Sequence, residues 1–242
     1  MDAWARLEGE IAQCTRCPRL RTHCETIAMA KRRAFRDETY WGKPVPGFGD
    51  RQARILLVGL APAAHGANRT GRMFTGDDSG NWLYEALHRA GLANQPGSRH
   101  ADDGLALRSA FITASARCAP PDNKPTPEEL AHCASFLDRE IELLPDVRVV
   151  VALGKIAWDT VLRRAARAGE APRPRPAFGH GEIASIRLRT EGPKIALVGS
   201  YHPSRQNTNT GKLTRAMLDD VLRRAVVLSR RAPSRSSPPR GR

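Results

Sequence analysis

The stretch Arg54–Gly80 reads RILLVGLAPAAHGANRTGRMFTGDDSG, a short apolar run followed by a glycine-rich loop. The run from Arg54 to Leu60 has the length and composition of a buried β-strand, and Gly59 and Pro62 mark its end. Residues 59–80 contain five glycines and two arginines, and an amphipathic helix starts near Ser79. Such a loop brings the backbone close to a ligand and points amide groups at an anion. The stretch therefore predicts a strand, a ligand-binding loop and a helix, although a flexible surface loop has the same composition.

The same alternation of strands and helices continues on both sides of this stretch. Val147–Leu153 (VRVVVAL) is the clearest strand, and Thr126, Pro127 and Glu129 form the capping box that starts a helix. Strands rich in Val, Ile and Leu that alternate with helices are typical of a parallel sheet covered on both faces. We predict an α/β fold, a three-layer αβα sandwich, with one domain over residues 1–228 and a disordered basic tail over 229–242. The predicted helices span 3–13, 79–90, 127–144, 154–168 and 213–228, and the strands span 54–60, 110–113, 147–153, 183–188 and 195–198.

The charge of the chain favours a polyanionic partner. The 242 residues include 39 Lys and Arg against 25 Asp and Glu, a formal net charge of +14. Cationic side chains that neutralise phosphates release counterions and so favour binding to nucleic acid. No apolar run approaches the roughly 20 residues that cross a bilayer, and the amino terminus lacks a signal-peptide core. We expect a cytoplasmic protein with no membrane partner, whose basic tail is either a solubilising extension or an auxiliary DNA contact.

Four of the five cysteines have a spacing that suggests metal ligation. Cys14 and Cys17 form a C-x2-C pair, and Cys118 and Cys133 follow far downstream. Four thiolates hold either a tetrahedral zinc ion or a cubane iron–sulfur cluster, and spacing alone does not separate them. Four unrelated buried thiols are the remaining alternative. Cys24 has no obvious pair, so we interpret it as a free thiol.

A second loop motif, Tyr201–Asn207 (YHPSRQN), directly follows the strand that ends near Gly199. A histidine at a strand end followed by proline lies in a cleft more readily than in a core. Its imidazole can donate a hydrogen bond to a developing anion. A lone histidine is more often structural, so His202 becomes informative only together with the first loop.

Taken together, these residues resemble the uracil-DNA glycosylase superfamily, and most closely its family 5, the iron–sulfur type-b branch. The resemblance rests on GLAPAxHGANRTGRxFTGD, RCAPPxNKPTPEE and HPSRxN, together with the four cysteines, and it runs from Cys14 to about Asp219. It implies a mostly parallel, four-stranded central sheet and a monomer that removes deaminated bases from double-stranded DNA. It also implies a [4Fe-4S] cluster on Cys14, Cys17, Cys118 and Cys133, with zinc as the alternative.

The resemblance assigns roles to single residues, and the chemistry explains them. A glycosylase swings the damaged nucleotide out of the duplex and breaks the C1′–N bond, so the sugar becomes cationic and the base anionic. A carboxylate near the sugar and a donor near a base oxygen then stabilise the transition state. We assign Asp77 and His202 as catalytic; Phe74, Asn123, Gly59 and Ala61 as base-binding; and Arg69, Arg205, Gln206 and Asn207 as DNA-binding, with Arg72 and Lys124 as further phosphate contacts.

Two features leave alternatives open. Other branches carry an acidic residue at the second or third position of the first motif, where this chain has Leu60 and Ala61. Asp77 is therefore our candidate, although Asp78 could compete, or the pair could only cap the helix. The missing acid also keeps a second hypothesis open, an inert DNA-binding protein with a structural metal site. Ala114, where the family 4 branch has asparagine, predicts a relaxed pocket that accepts hypoxanthine or xanthine as well as uracil.

Overall fold

A central six-stranded sheet organises the computed structural model, which describes residues 2–169 and 172–230. The strand order is β1-β3-β2-β4-β6-β5, with the four inner strands parallel and the two edge strands antiparallel. The α/β sandwich is thus confirmed, but the four-stranded sheet becomes six-stranded because short antiparallel strands extend both edges. The strands are β1 Phe48–Gly49, β2 Ile55–Gly59, β3 Ala110–Ala114, β4 Val149–Leu153, β5 Ile183–Arg187 and β6 Lys194–Ser200.

Eight helices, in the part of the chain that the structure describes, flank the sheet or precede it. They are α1 Ala3–Ala12, α2 Pro18–Ala30, α3 Ala67–Thr70, α4 Asp78–Arg89, α5 Pro127–Leu143, α6 Lys155–Arg167, α7 Arg205–Asn209 and α8 Arg215–Arg230. The apolar faces of α4 and α8 pack on one side of the sheet, and those of α5 and α6 pack on the other. None of the helices in the described ranges is long and apolar enough to span a membrane.

Side-chain alternation along β2 explains the two cores. Ile55 and Leu57 enter the core under α4 and α8, while Leu56 and Val58 enter the core under α5 and α6. All five residues of this strand are buried. A central parallel strand covered on both faces must be apolar at every position, which is why its sequence shows no polar alternation.

Most of the helix ends predicted from capping residues and glycines in the sequence lie close to the helix ends in the structure. The Thr126–Glu129 capping box is present, and α5 begins at Pro127. The last helix departs from the expectation, since α8 continues to Arg230 and Ser229 is buried against the domain. The start of the expected tail is therefore helical, and its remainder, 231–242, lies outside the described residues. The two-residue strand β1 was missed because so short a pairing has no periodicity to detect.

Candidate active site

A cleft of about 770 Å³ opens at the carboxyl ends of the parallel strands. Loops that follow β2, β3 and β6 meet there, as expected for a ligand site in an open α/β sheet. The loop after β2 contributes the first sequence motif, and the loop after β6 contributes His202. The residues that line the cleft include Leu60, Ala61, His65, Gly66, Phe74, Asp77, Asn123, Lys124, His202, Arg205 and Gln206. The fold thus brings together most of the site residues predicted from the sequence.

Asp77 caps a helix and lines the cleft at the same time. It is the N-cap residue of α4, and its Oδ1 accepts a hydrogen bond from the Gly80 N–H at 2.8 Å. Its Oδ2 lies against Gly66, where a Cβ atom added to the glycine would come within 1.9 Å of that oxygen. Burial raises the pKa of Asp77, while the Gly80 N–H opposes that shift. Helix capping engages Oδ1, so it does not exclude a further role for Oδ2.

Phe74 presents its ring to the cleft from a left-handed backbone conformation. Its φ is 54°, which L-residues seldom adopt outside constrained sites. The ring packs over the end of β2, where a Cβ atom on Gly59 would come within 2.9 Å of it. Gly59 is buried and does not itself line the cleft. Gly59 therefore makes room for the Phe74 ring, which corrects its assignment as a base contact, whereas Ala61 lies on the cleft wall as expected.

His202 lies beside Phe74 in the lining of the cleft. The two ring centroids are 5.7 Å apart, with an interplanar angle of 30°. Burial lowers the pKa of His202 to about 4, so its imidazole is neutral at physiological pH. No hydrogen bond joins its ring nitrogens to another described residue. A neutral ring can still donate one N–H to a ligand, as the developing base anion requires.

Asn207 holds the loop that carries His202 and does not line the cleft. Its side-chain amide donates to the His202 carbonyl oxygen at 2.9 Å. This contact gives Asn207 a positioning role for the His202 loop, and its assignment as a DNA contact stays a prediction. Its neighbour Gln206 is exposed on the cleft wall, where a polar side chain can approach the duplex. Asn123 is also exposed on the cleft wall, with a left-handed φ of 57° that asparagine tolerates well.

Two arginines of the first motif are structural. Arg69 is 4% exposed, pairs with Glu38 and donates to the Gly76 carbonyl at 2.9 Å. Arg72 is also 4% exposed and makes a bidentate pair with Asp103 at 2.7 and 2.8 Å. Neither guanidinium is free to bind a phosphate, so both predictions of DNA contact are wrong. Their partners come from loops that the local sequence pattern could not bring together.

Arg205 and Asp78 form an exposed ion pair between α7 and the start of α4. Asp78 is therefore engaged by a cation at the mouth of the cleft, and Asp77 remains the buried carboxylate. An exposed pair of this kind contributes little to stability and exchanges readily for a phosphate. Arg205 thus keeps its assignment as a candidate DNA contact.

The sequence reasoning missed a histidine in the first motif. His65 lines the cleft, and its Nδ1 lies 3.0 Å from the Tyr40 hydroxyl. The same hydroxyl accepts the Arg32 backbone N–H at 3.3 Å, so Tyr40 links His65 to the segment that follows α2. Burial, followed by the nearby Arg32 cation, lowers the pKa of His65. Tyr40 lies 25 residues away in the chain, so only the fold brings it to His65.

The four predicted cysteine ligands converge on one buried region between α1, α2, α5 and the loop after β3. Cys17 interacts electrostatically with the other three members of the set, and so does Cys133. Burial raises the pKa of Cys17 to about 12, and it also raises the pKa of Cys133. Buried thiols resist ionisation unless a cation compensates them, and metal binding supplies that compensation. Within the described ranges no three such side chains are close enough to hold a single metal ion.

Unpartnered donors at this region fit an anionic cluster. The Nε and Nη1 atoms of Arg117, a residue that is 1% exposed, have no hydrogen-bond partner among the described residues. The same holds for Nη1 of Arg21, whose guanidinium contacts the Cys118 sulfur, while the Arg117 backbone N–H faces Cys133. Buried donors without partners cost roughly 1–3 kcal/mol each. Sulfide and thiolate sulfurs of an iron–sulfur cluster would accept these hydrogen bonds, so the residues present fit such a group.

Comparison with known proteins agrees with this geometry. The family model described as the uracil DNA glycosylase superfamily matches residues 46–225. A type-5 uracil-DNA glycosylase of Mycobacterium tuberculosis is 52% identical over 224 residues, which cover 92% of this chain and 81% of that protein. The type-5 enzyme of Thermus thermophilus is 52% identical over 219 residues, covering 90% and 95%. A type-4 uracil-DNA glycosylase of Pyrobaculum aerophilum is 31% identical over 166 residues, covering 68% and 74%. The chain therefore belongs to the uracil DNA glycosylase superfamily, in its type-5 branch.

Proposed function

We propose that the protein removes uracil from double-stranded DNA by hydrolysing the N-glycosidic bond and leaving an abasic site. One observation carries the proposal: a single cleft holds the Phe74 ring, the neutral His202 imidazole and the buried Asp77 carboxylate. These are a stacking surface, a hydrogen-bond donor and an anion, the three elements that base extrusion and bond cleavage need. The names of the type-5 relatives support the same activity.

In this proposal each of the three side chains has its own role in the reaction. The extruded base stacks on Phe74, and the His202 N–H stabilises the negative charge that develops on a base oxygen as the C1′–N1 bond breaks. The Asp77 carboxylate stabilises the cationic sugar and accepts a hydrogen bond from the attacking water. Water adds its oxygen to C1′ and passes one proton to the Asp77 carboxylate, while the electron pair of the C1′–N1 bond leaves with the base. The base anion then takes a proton from solvent. A neutral His202 suits this role because it donates without having to be ionised at physiological pH.

We further propose that the pocket accepts hypoxanthine and xanthine. Ala114 pairs in register with Gly59 beneath the Phe74 ring, and its methyl group offers no hydrogen-bond donor or acceptor at the end of β3. A purine therefore leaves no dedicated polar group unpaired there. Asn123, whose side chain has no hydrogen bond to another described residue, supplies a polar contact from the rim that suits either ring type.

We propose a [4Fe-4S] cluster on Cys14, Cys17, Cys118 and Cys133. The cluster would supply a covalent cross-link between the amino-terminal helices and the body of the fold, and no step of the hydrolysis passes through it. Cys133 and Glu140 lie seven residues apart on one face of α5, and Glu140 accepts from Thr113 at 2.6 Å. The cluster would thereby hold α5 against β3, the strand whose following loop lines the cleft.

A single-turnover assay tests the function. Purified protein is incubated with duplexes that contain uracil, hypoxanthine or xanthine, and abasic sites are revealed by alkaline cleavage. We expect cleavage at all three bases, and Asn123→Ala should lower the rates for the purines more than Lys124→Ala, an adjacent control. Cleavage confined to uracil would refute the broad pocket. No cleavage with any base, despite tight DNA binding, would instead support an inert DNA-binding protein.

A further inference from the structure

Residues Lys31–Arg36 (KRRAFR) directly follow α2 and form a basic segment. We name this segment the basic rim. It lies upstream of the three motifs on which the proposed catalytic site rests. Arg32 and Phe35 line the cleft, and Arg32, Arg33 and Arg36 are all exposed. The basic rim therefore borders the cavity into which a base would be extruded.

Three contacts hold the basic rim in place. The Arg69 guanidinium stacks on the Phe35 ring at 3.9 Å, and the Tyr40 hydroxyl accepts the Arg32 backbone N–H at 3.3 Å. The Lys31 Nζ donates to the Arg36 carbonyl oxygen at 3.1 Å, which closes the segment on itself. The backbone is therefore ordered before any ligand arrives, and less conformational entropy is lost when its side chains bind.

The arginines of the basic rim are free to bind an anion, because they have no acidic partner among the described residues. No ion pair joins Arg32, Arg33 or Arg36 to an acidic side chain in the described part of the chain. Of the two acids that follow, Glu38 is paired with Arg69, and Asp37 stays exposed beside Arg36. By contrast, Asp78 already engages Arg205. Among the described residues, the cations of the cleft that have no acidic partner are therefore Arg32 of the basic rim, with Arg33 and Arg36 next to it in the chain, and Lys124.

A nucleotide whose base enters the cleft leaves its flanking phosphates at the mouth. Arg32 and Phe35 of the basic rim and Gln206 of α7 all line this cleft. We infer that the basic rim binds the phosphates of the strand that carries the extruded nucleotide, while α7 approaches the gap left in the duplex. This inference rests on the proposed function, since it requires that a nucleotide enters the cleft.

Salt dependence of DNA binding tests the inference. The variant Arg32→Gln/Arg33→Gln/Arg36→Gln removes three charges from the basic rim. A matched control, Arg54→Gln/Arg108→Gln/Arg148→Gln, removes three charges from the amino ends of β2, β3 and β4, at the opposite edge of the sheet. The probe is a duplex with a tetrahydrofuran abasic analogue, and affinity is measured by fluorescence anisotropy over a series of salt concentrations.

The slope of log affinity against log salt should become less steep by about 2.7 in the rim variant, since each phosphate contact contributes about 0.9. The control slope should stay unchanged. Equal changes in both variants would show an effect of net charge alone, and an unchanged rim variant would overturn the inference. Thermal melting must first show that both variants are folded. If the triple variant of the basic rim does not fold, the single variants Arg32→Gln and Arg33→Gln replace it.

Uncharged methylphosphonate linkages in place of phosphates test which strand of the duplex the basic rim contacts. Methylphosphonate linkages beside the abasic analogue should weaken binding of the unmodified protein but not further weaken the rim variant. Additive losses would place the basic rim elsewhere on the duplex and overturn the assignment to these phosphates. Because neither assay involves turnover, an inactive protein that passed both would refute the proposed function and leave this interface standing.

Discussion

Gly66→Ala tests whether the position of the Asp77 carboxylate, and not only its presence, supports catalysis. A Cβ atom on Gly66 would lie 1.9 Å from Asp77 Oδ2, whereas ordinary contact begins at 3.4 Å. The carboxylate or the loop must therefore shift by about 1.5 Å. Gly66 has a φ of −101°, so alanine introduces no left-handed strain of its own. The substitution displaces a charged group without removing it.

A misplacement of about 1 Å can lower the rate of an enzymatic step by about 100-fold, which corresponds to about 2.7 kcal/mol. We therefore expect single-turnover excision of uracil by Gly66→Ala to be slower by about 100-fold. The stability loss should be about 1 kcal/mol, since the shift also weakens the cap between Asp77 and Gly80. Gly9→Ala is the control, because no atom lies within 4 Å of the Cβ atom that it adds.

A double-mutant cycle identifies the cause. In an Asp77→Ala background no carboxylate remains to be displaced, so adding Gly66→Ala should slow excision no further. Rates and thermal melts are measured for all four proteins with the same uracil duplex under single-turnover conditions. Independent, multiplicative losses would show that Gly66 acts by another route. An unchanged rate in the single variant would refute the geometric argument outright.

Asp77→Asn should slow single-turnover excision by about 100- to 1,000-fold with little change in DNA affinity, and a wild-type rate would move the role to Asp78 or to water held by the backbone. In an NMR titration, the pKa of His202 should be near 4 and not near the ordinary histidine value of 6.5. Because the unfolded chain then binds the proton more readily than the folded protein, the free energy of unfolding should fall as the pH drops from about 6.5 towards 4. A titration midpoint near 6.5 would contradict a desolvated ring. Protein prepared anaerobically should contain about four iron atoms by metal analysis and should absorb visible light. The Cys17→Ala variant should lose the iron and the visible absorption, and it should fold poorly. Stoichiometric zinc in place of iron would refute the cluster.

Features that depend on neighbours in the chain could be predicted from the sequence. The apolar run at Val147–Leu153 predicted β4, and the Thr126–Glu129 pair predicted the start of α5. Both depend on interactions within a few residues, where periodicity and capping are visible directly. The order of the three motifs also predicted one cleft, because loops after parallel strands share an edge of the sheet.

Features that depend on distant partners needed the fold. Arg69 and Arg72 have the composition of phosphate ligands, yet Glu38 and Asp103, each 31 residues away, pair with them in the interior. The same folding leaves Arg32 exposed at the cleft, although no motif distinguishes it from the other arginines. Charge is a property of the residue, but its availability is set by burial and by the partner that the fold supplies.

The chemistry of the site also has a part that the sequence shows and a part that depends on the fold. The sequence by itself determined the family, the residue types in the cleft and the four cysteines, since these are ordered patterns of chemically distinctive residues. Only the tertiary structure decided that Asp77 caps α4 with one oxygen while the other lies against Gly66, and that burial keeps His202 neutral. Orientation and desolvation arise from packing between segments far apart in the chain, and a linear pattern contains neither.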